Sequence, residues 1–339
     1  MPNRRSILAA TTLLPLARPR LARAQQAGAA RWVPERPIVF VSGYAPGGST
    51  DIGARLLADP MAAVLGPEVR ILVENRPGAA GTVATEWVKN RPADGTTIMI
   101  QETGAGAVAP IATIGGTRYD PLTDFTQLGV ISTPPEVLVI SPGFVPAGTP
   151  PAAVLAQLRT APRDSITYAT SGFGGVLHLK SEMLAKALGT GFVHVPYRSG
   201  AQMVTSIMQG DAQFGIAAIA SALPFLRDNR VRAVAVMGTA RFPALPEVPT
   251  LSELGVPGFE SGGWFTLIGP AGIPRPAAVA LNGALVAALR DPGVRERMLL
   301  AGHLPVQGEN TLEATRAFVE RELATVRQMV ERTGIRLQP

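Results

Sequence analysis

The sequence predicts an α/β protein of two lobes closed by a helical C-terminal segment, and three observations predict it. From Pro37 onward, short apolar runs alternate with amphipathic stretches, the pattern of strands and helices in βαβ units. The alternation comes in two series, residues 38–100 and 137–237, each with a glycine-rich turn between a strand and a helix. Beyond Pro276 the apolar residues recur at helical spacing to the end of the chain. At 339 residues, the chain can bury the cores of one large or two ordinary domains.

Residues 38–41 are a continuous apolar run, as expected of a strand covered on both faces. Gly47-Gly48-Ser49-Thr50-Asp51 follows, then Ile52, Leu56, Leu57, Val64 and Leu65 at helical spacing, with Gly66-Pro67 as the stop signal. Pro60 inside this helix deletes a backbone hydrogen bond at a cost of about 3 kcal/mol, so a kink or a break is expected there. A strand at 70–73, a glycine turn at 75–81, a helix over 82–89 and a strand at 97–100 complete the first series. The second series reads as strand 137–140, helix 151–160, strand 166–169, glycine loop 171–175, helix 177–188 and strand 192–195. It continues with helix 202–209, strand 213–217, a short helix after Ser221 and strand 231–237. Helices are expected at 276–289, 292–300 and 312–332, and both sheets are expected to be parallel.

With 46% apolar and 17% charged residues the chain is neither disordered nor fibrous. The absence of cysteine excludes disulfides, zinc–thiolate sites, iron–sulfur clusters and a cysteine nucleophile. His178, His194 and His303 are the only histidines. The formal charge of +6 is concentrated in Arg4, Arg5, Arg18, Arg20 and Arg23. Residues 1–24 hold these five, contain no Asp or Glu, and have the layout of an export signal: a basic start, an apolar run over 7–17 and the triplet Ala22-Arg23-Ala24. The apolar run is too short to cross a bilayer as a helix. Arg4-Arg5 resembles a twin-arginine signal, with ordinary Sec export the alternative. A periplasmic protein cleaved near Ala24 is expected. Subtracting the five arginines leaves +1, so no nucleic-acid partner is expected.

Chemistry is expected at the two glycine turns. Glycines allow close backbone approach, and the helix that follows aims free N–H groups and its positive dipole end into the turn. Gly47 to Asp51 therefore either holds an anion or simply caps its helix through Ser49 or Asp51. Thr170-Ser171-Gly172-Phe173-Gly174-Gly175 repeats the device in the second series. No Gly-x-Ser-x-Gly elbow, His-Glu-x-x-His pair or acidic metal cluster occurs. No enzyme activity, cofactor or metal is expected; a secreted hydrolase using Ser171 and His178 is the rival, and it has no orienting acid.

The stretches Tyr44-Ala45-Pro46-Gly47-Gly48-Ser49-Thr50-Asp51, Val73-Glu74-Asn75-Arg76-Pro77-Gly78-Ala79-Ala80-Gly81 and Ala93-Asp94-Gly95 resemble the Bug (TctC-like) receptors. So do Tyr119-Asp120-Pro121, His194-Val195-Pro196-Tyr197, Leu245-Pro246-Glu247-Val248-Pro249-Thr250 and Pro270-Ala271-Gly272. The likeness covers nearly everything after the signal, in order. It implies a two-lobed periplasmic-binding-protein fold of type II, the Venus flytrap, that closes on a small carboxylate for a tripartite tricarboxylate transporter. An extracytoplasmic sensor acting on a signalling kinase is the alternative within that fold.

The resemblance implies lobe one over 25–133 plus 262–339 and lobe two over 134–261, with a monomer expected and membrane permease subunits as partners. It implies a cradle of Gly47, Gly48, Ser49, Thr50 and Asp51 with Tyr44 as its aromatic wall, and a second of Thr170, Gly172 and Gly174 with Tyr197 nearby. Glu102 and Thr103 are expected at the ligand, where many members carry a run ending in His. Phe173, Val176 and Ala217-Ala218 replace polar residues common in the family. Either the ligand is less polar than citrate or aspartate, or Phe173 and Val176 pack under the turn. Glu102 with Arg198 is either a rim ion pair or a reader of an amino group and a second carboxylate, and Glu136 has no assigned role.

Overall fold

The computed structural model describes residues 32–337. The export-signal reading of residues 1–24 lies outside them. The chain starts with β1 (Ile38–Ser42), α1 (Ser49–Leu65), β2 (Ile71–Asn75), α2 (Thr82–Lys89), β3 (Thr97–Glu102), α3 (Ala109–Ala112) and β4 (Phe125–Ser132). It crosses into β5 (Glu136–Ile140), α4 (Pro151–Thr160), β6 (Thr167–Thr170), α5 (Val176–Leu188), β7 (Val193–Pro196), α6 (Gly200–Gln209), β8 (Phe214–Ala218), α7 (Ile219–Arg227) and β9 (Arg232–Met237). It then returns through β10 (Phe265–Pro270) and ends in α8 (Arg275–Arg290), α9 (Pro292–Leu300) and α10 (Leu312–Thr333).

The strands form two five-stranded sheets, in the orders β2-β1-β3-β10-β4 and β7-β6-β8-β5-β9. This is the α/β, two-lobed arrangement expected, with one correction: each sheet is mixed. β10 runs antiparallel to β3 and β4, and β5 antiparallel to β8 and β9. The reversed strand is in each case the first one after the chain passes between sheets, so it enters its slot from the opposite end. Neither β4 nor β10 was expected, because Gln127 and Gly129 interrupt one apolar run and Gly269-Pro270 makes the other look like a turn.

Pro60 does not break the helix: α1 runs from Ser49 to Leu65. Its buried face, Leu57, Ala58, Met61 and Leu65, lies against α8 and the first sheet, and packing of that face offsets the single lost hydrogen bond. Ile38, Phe40, Ile98 and Leu267 are fully buried in the same cluster. A second cluster holds Val139, Tyr168, Phe214 and Val234 of the other sheet. Val319, Leu323 and Val326 of α10 belong to this second cluster, while α10 also packs on β4 of the first sheet. The C-terminal helix therefore ties the two halves together.

Candidate functional site

A cleft lies between the sheets, at the ends of strands where the chain turns into helices, the usual ligand position in open α/β sheets. One wall comes from Tyr44, Gly48 and Ser49 after β1 and from Glu102 and Thr103 at the end of β3. The facing wall comes from Ser171, Gly172 and Gly175 after β6, with Gly200 and Ser221. Pro134, Pro135 and Glu136 at the crossing and Gly263, Trp264 and Phe265 at the return close the back. The space for centres of water-sized groups is about 40 Å³, enough for a few heavy atoms.

The cleft is shut by contact between the halves. The Ala45 N–H donates to the Arg198 carbonyl at 3.3 Å. A Cβ on Gly172 would stand 2.9 Å from Ala80 N, and one on Gly175 3.0 Å from Ala80 Cβ. Helices α1, α5, α6 and α7 all begin at its walls. Gly48, Gly175 and Ala218 cap three of them without any side-chain hydrogen bond, whereas Ser199 caps α6 through Gln202 N. The free first-turn N–H groups are donors for an anion.

Of the residues expected at the ligand, Tyr44, Gly48, Ser49, Glu102, Thr103 and Gly172 line this cleft; Gly47, Thr50, Asp51, Thr170, Gly174 and Tyr197 do not. Asp51 turns back into its own loop, accepting Gly47 N, Arg55 Nε and Asn75 Nδ2 at 2.9 Å each. Burial works against its charge, but Arg55, the Gly47 N–H and Asn75 outweigh it and hold the carboxyl below the usual aspartate range. Gly47, at φ +82, supplies the left-handed residue of the turn, and Thr50 bonds Ser42 Oγ at 2.9 Å. Thr170 is spent on His194 Nε2 at 2.7 Å and on the Gly172 carbonyl. The Gly174 N–H goes to His178 Nδ1, and Tyr197 packs on the second core. The side chains of Thr50, Asp51 and Thr170 are engaged within and beside the turns, as short polar side chains in tight turns tend to be, while the backbone N–H groups of Thr50 and Asp51 belong to the uncapped first turn of α1.

The two replaced apolar positions separate. Val176 lines the cleft; Phe173 packs on His178 with ring centroids 4.7 Å apart. Ala218 lines it, while Ala217 is in the core. Ser171 is at the wall, and His178 is stacked on His194 at 4.0 Å. Glu102 does not meet Arg198. Its carboxylate is buried and accepts Tyr44 Oη at 2.8 Å, Gly104 N at 2.7 Å and Ala105 N at 3.0 Å. Burial raises its pKa against those three donors, and burial together with Glu102 pushes the Tyr44 hydroxyl well up. The backbone makes room for this carboxylate with a π-helical turn at Gly104–Val108, where a Cβ on Gly104 would fall 2.4 Å from Glu102 Oε1.

Sequence reasoning missed Ser221, Trp264, Phe265 and the pair Glu136–Lys180. Lys180 Nζ lies 2.6 Å from Glu136 Oε2 with side chains 2% and 3% exposed. Burial raises the Glu136 pKa and Lys180 opposes it. The available signal was a pair of opposite charges at apolar positions: Glu136 opens the run Val137–Ile140, and Lys180 shares a helix face with Leu177 and Leu184.

Among the described residues no group of acidic, histidine or cysteine side chains could hold a metal, and no helix is long and apolar enough to cross a membrane. Residues 53–335 match the model of the tripartite tricarboxylate transporter family receptor, TctC. The protein BugT of Bordetella pertussis is 30% identical over 305 residues, covering 90% of this chain and 91% of the relative. Solved structures agree in fold. MatC from Rhodopseudomonas palustris with bound malate superposes with a TM-score of 0.82 at 29% identity, covering 88% of this chain and 100% of the other. An R. palustris protein with adipate gives 0.83 at 29%, covering 90% and 99%. The periplasmic binding protein BugD gives 0.83 at 29%, covering 91% and 100%. With two mixed sheets, uncapped helix starts at their shared cleft and a match running through nearly all of both, the chain belongs to the TctC family of solute-binding receptors.

Proposed function

We propose that this chain is a periplasmic receptor that shuts its two lobes on a small carboxylate and hands it to the membrane subunits of a tripartite tricarboxylate transporter. The lobes are residues 25–133 with 262–339, and 134–261; the crossing before β5 and the return before β10 are the hinge strands. One observation carries the reading: α1 and α5 begin without side-chain caps at facing walls of one buried cleft. Three or four charge-assisted bonds of about 1.5–3 kcal/mol each suffice for micromolar affinity after the entropy of association is subtracted. The lining of Val176, Leu177, Trp264, Phe265, Pro134 and Pro135 suits a carboxylate with an apolar body. Family members with malate and with adipate support the ligand class.

A thermal-shift panel of mono- and dicarboxylates tests this. A ligand at 100 times its Kd stabilises the fold by about 2.7 kcal/mol, and Gly48→Val should abolish that gain. Gly48 has an ordinary φ of −73, and a Cβ there would already touch Ala45 O, Tyr44 Cβ and Ser199 Cβ at 3.4–3.6 Å, so the two methyls of valine crowd the mouth of the turn. No shift with any carboxylate, or an undiminished shift in the variant, overturns the reading.

A further inference from the structure

Glu136 carries a buried oxygen at the cleft that a bound carboxylate does not use. Glu136 Oε2 takes the Lys180 ammonium at 2.6 Å, and Lys180 also donates to the Ser261 carbonyl at 2.6 Å. Glu136 Oε1 has no hydrogen-bond partner. It lies against Gly263, where a Cβ would come within 2.9 Å; the Gly263 N–H bonds the Pro134 carbonyl at 3.0 Å and, with the N–H of Glu136 itself, only helps to lower the carboxyl's pKa, so no donor is centred on Oε1. Glu136 and Gly263 both line the cleft. Ser221, which also lines the cleft, has its Oγ buried against Gly200 without a partner. The Glu102 oxygens, by contrast, are filled by Tyr44 and two backbone N–H groups.

Buried polar atoms are nearly always satisfied, and an unfilled carboxylate oxygen accepts but cannot donate. A second carboxylate would meet that oxygen acceptor to acceptor; an N–H or O–H would complete it. We propose that the ligand carries a hydrogen-bond donor besides its carboxylate, and that Glu136 reads it. The substrate class is thus a carboxylate bearing an amino or hydroxyl group rather than a plain aliphatic acid. Lys180 is the positioning residue: it holds Oε2 and leaves Oε1 for the ligand. This rests on the carboxylate reading of the same cleft.

Two size-matched triads test it by isothermal titration: pentanoate, 4-hydroxybutanoate and 4-aminobutanoate; and methylsuccinate, malate and aspartate. In at least one triad a donor-bearing member should bind about tenfold or more tightly than its parent, and the hydroxyl and amino arms tell a neutral donor from a cationic one. The double variant Glu136→Leu with Lys180→Met removes the charges together, which buried pairs tolerate. In it the preference should be lost, read as the ratio of substituted to parent affinity within each triad. Parents that bind as well as or better than every substituted acid overturn this inference and leave the receptor reading standing, as does a preference that survives in the double variant. No binding by any of the six overturns both.

Discussion

Asp51 shows how little of a binding turn need touch the ligand. Its carboxylate gathers Gly47, Arg55 and Asn75, so it fixes the shape that leaves the first N–H groups of α1 facing the cleft. Asp51→Ala should therefore cost about 1–3 kcal/mol of stability through three donors left without their acceptor, read as a lower urea midpoint, and should weaken ligand binding as a secondary effect. A variant as stable as the parent would show that the turn holds itself. The carboxyl sits below its usual range, so its contribution is present above the unfolded value near 4 and is lost as pH falls through the lower folded one. Asp51 was legible as a residue of the turn, but its direction was not, because a helix-start aspartate can face a ligand or its own loop with the same sequence.

At the scale of elements, the second glycine turn rests on a ring stack. The Gly174 N–H donates to His178 Nδ1, His178 stacks on His194, and Thr170 joins His194 to the Gly172 carbonyl. His303 plays a similar part for the first turn, lying 3.1 Å from the Ser49 carbonyl and 3.1 Å from Ser132 Oγ. Burial holds His178 down at about 3, and His194 and His303 at about 4. All three are below the ordinary 6.5, so the folded chain binds fewer protons than the unfolded one. Stability should be full above pH 6.5 and decline as pH falls from 6.5 toward 4, by about 1.4 kcal/mol per unit for the fully buried His303 alone. Urea unfolding at pH 7, 6 and 5 measures this, and His303→Gln should flatten the slope. A stability constant down to pH 5 would contradict it. That these histidines support both turns was not readable from the sequence, because it depends on which strands lie side by side.

For the whole molecule, the two walls of the cleft meet backbone against backbone. Gly172 has φ +140, and a Cβ there would strike Ala80 N at 2.9 Å. Ala79 and Ala80 are themselves left-handed, at φ +43 and +50, a strained conformation that persists only when the surroundings impose it. Gly172→Ala should leave the circular dichroism spectrum unchanged, lower carboxylate affinity about tenfold or more, and remove ligand-induced compaction in small-angle X-ray scattering. Unaltered compaction in the variant would mean that the lobes close elsewhere.

The order of apolar runs and glycine turns determined the fold class, the position of most elements and the region of the cleft, since strand and helix periods and turn residues are local properties. Tertiary structure decided the rest. Whether a strand is reversed depends on which sheet the chain has just left, so β5 and β10 could not be oriented from their residues. Which turn residues face the ligand depends on partners far along the chain, as with Thr170 and His194. The buried pair Glu136–Lys180 was visible only as two charges out of place; packing β5 against α5 turned them into one hydrogen-bonded group at 2.6 Å, because burial forces opposite charges to find each other.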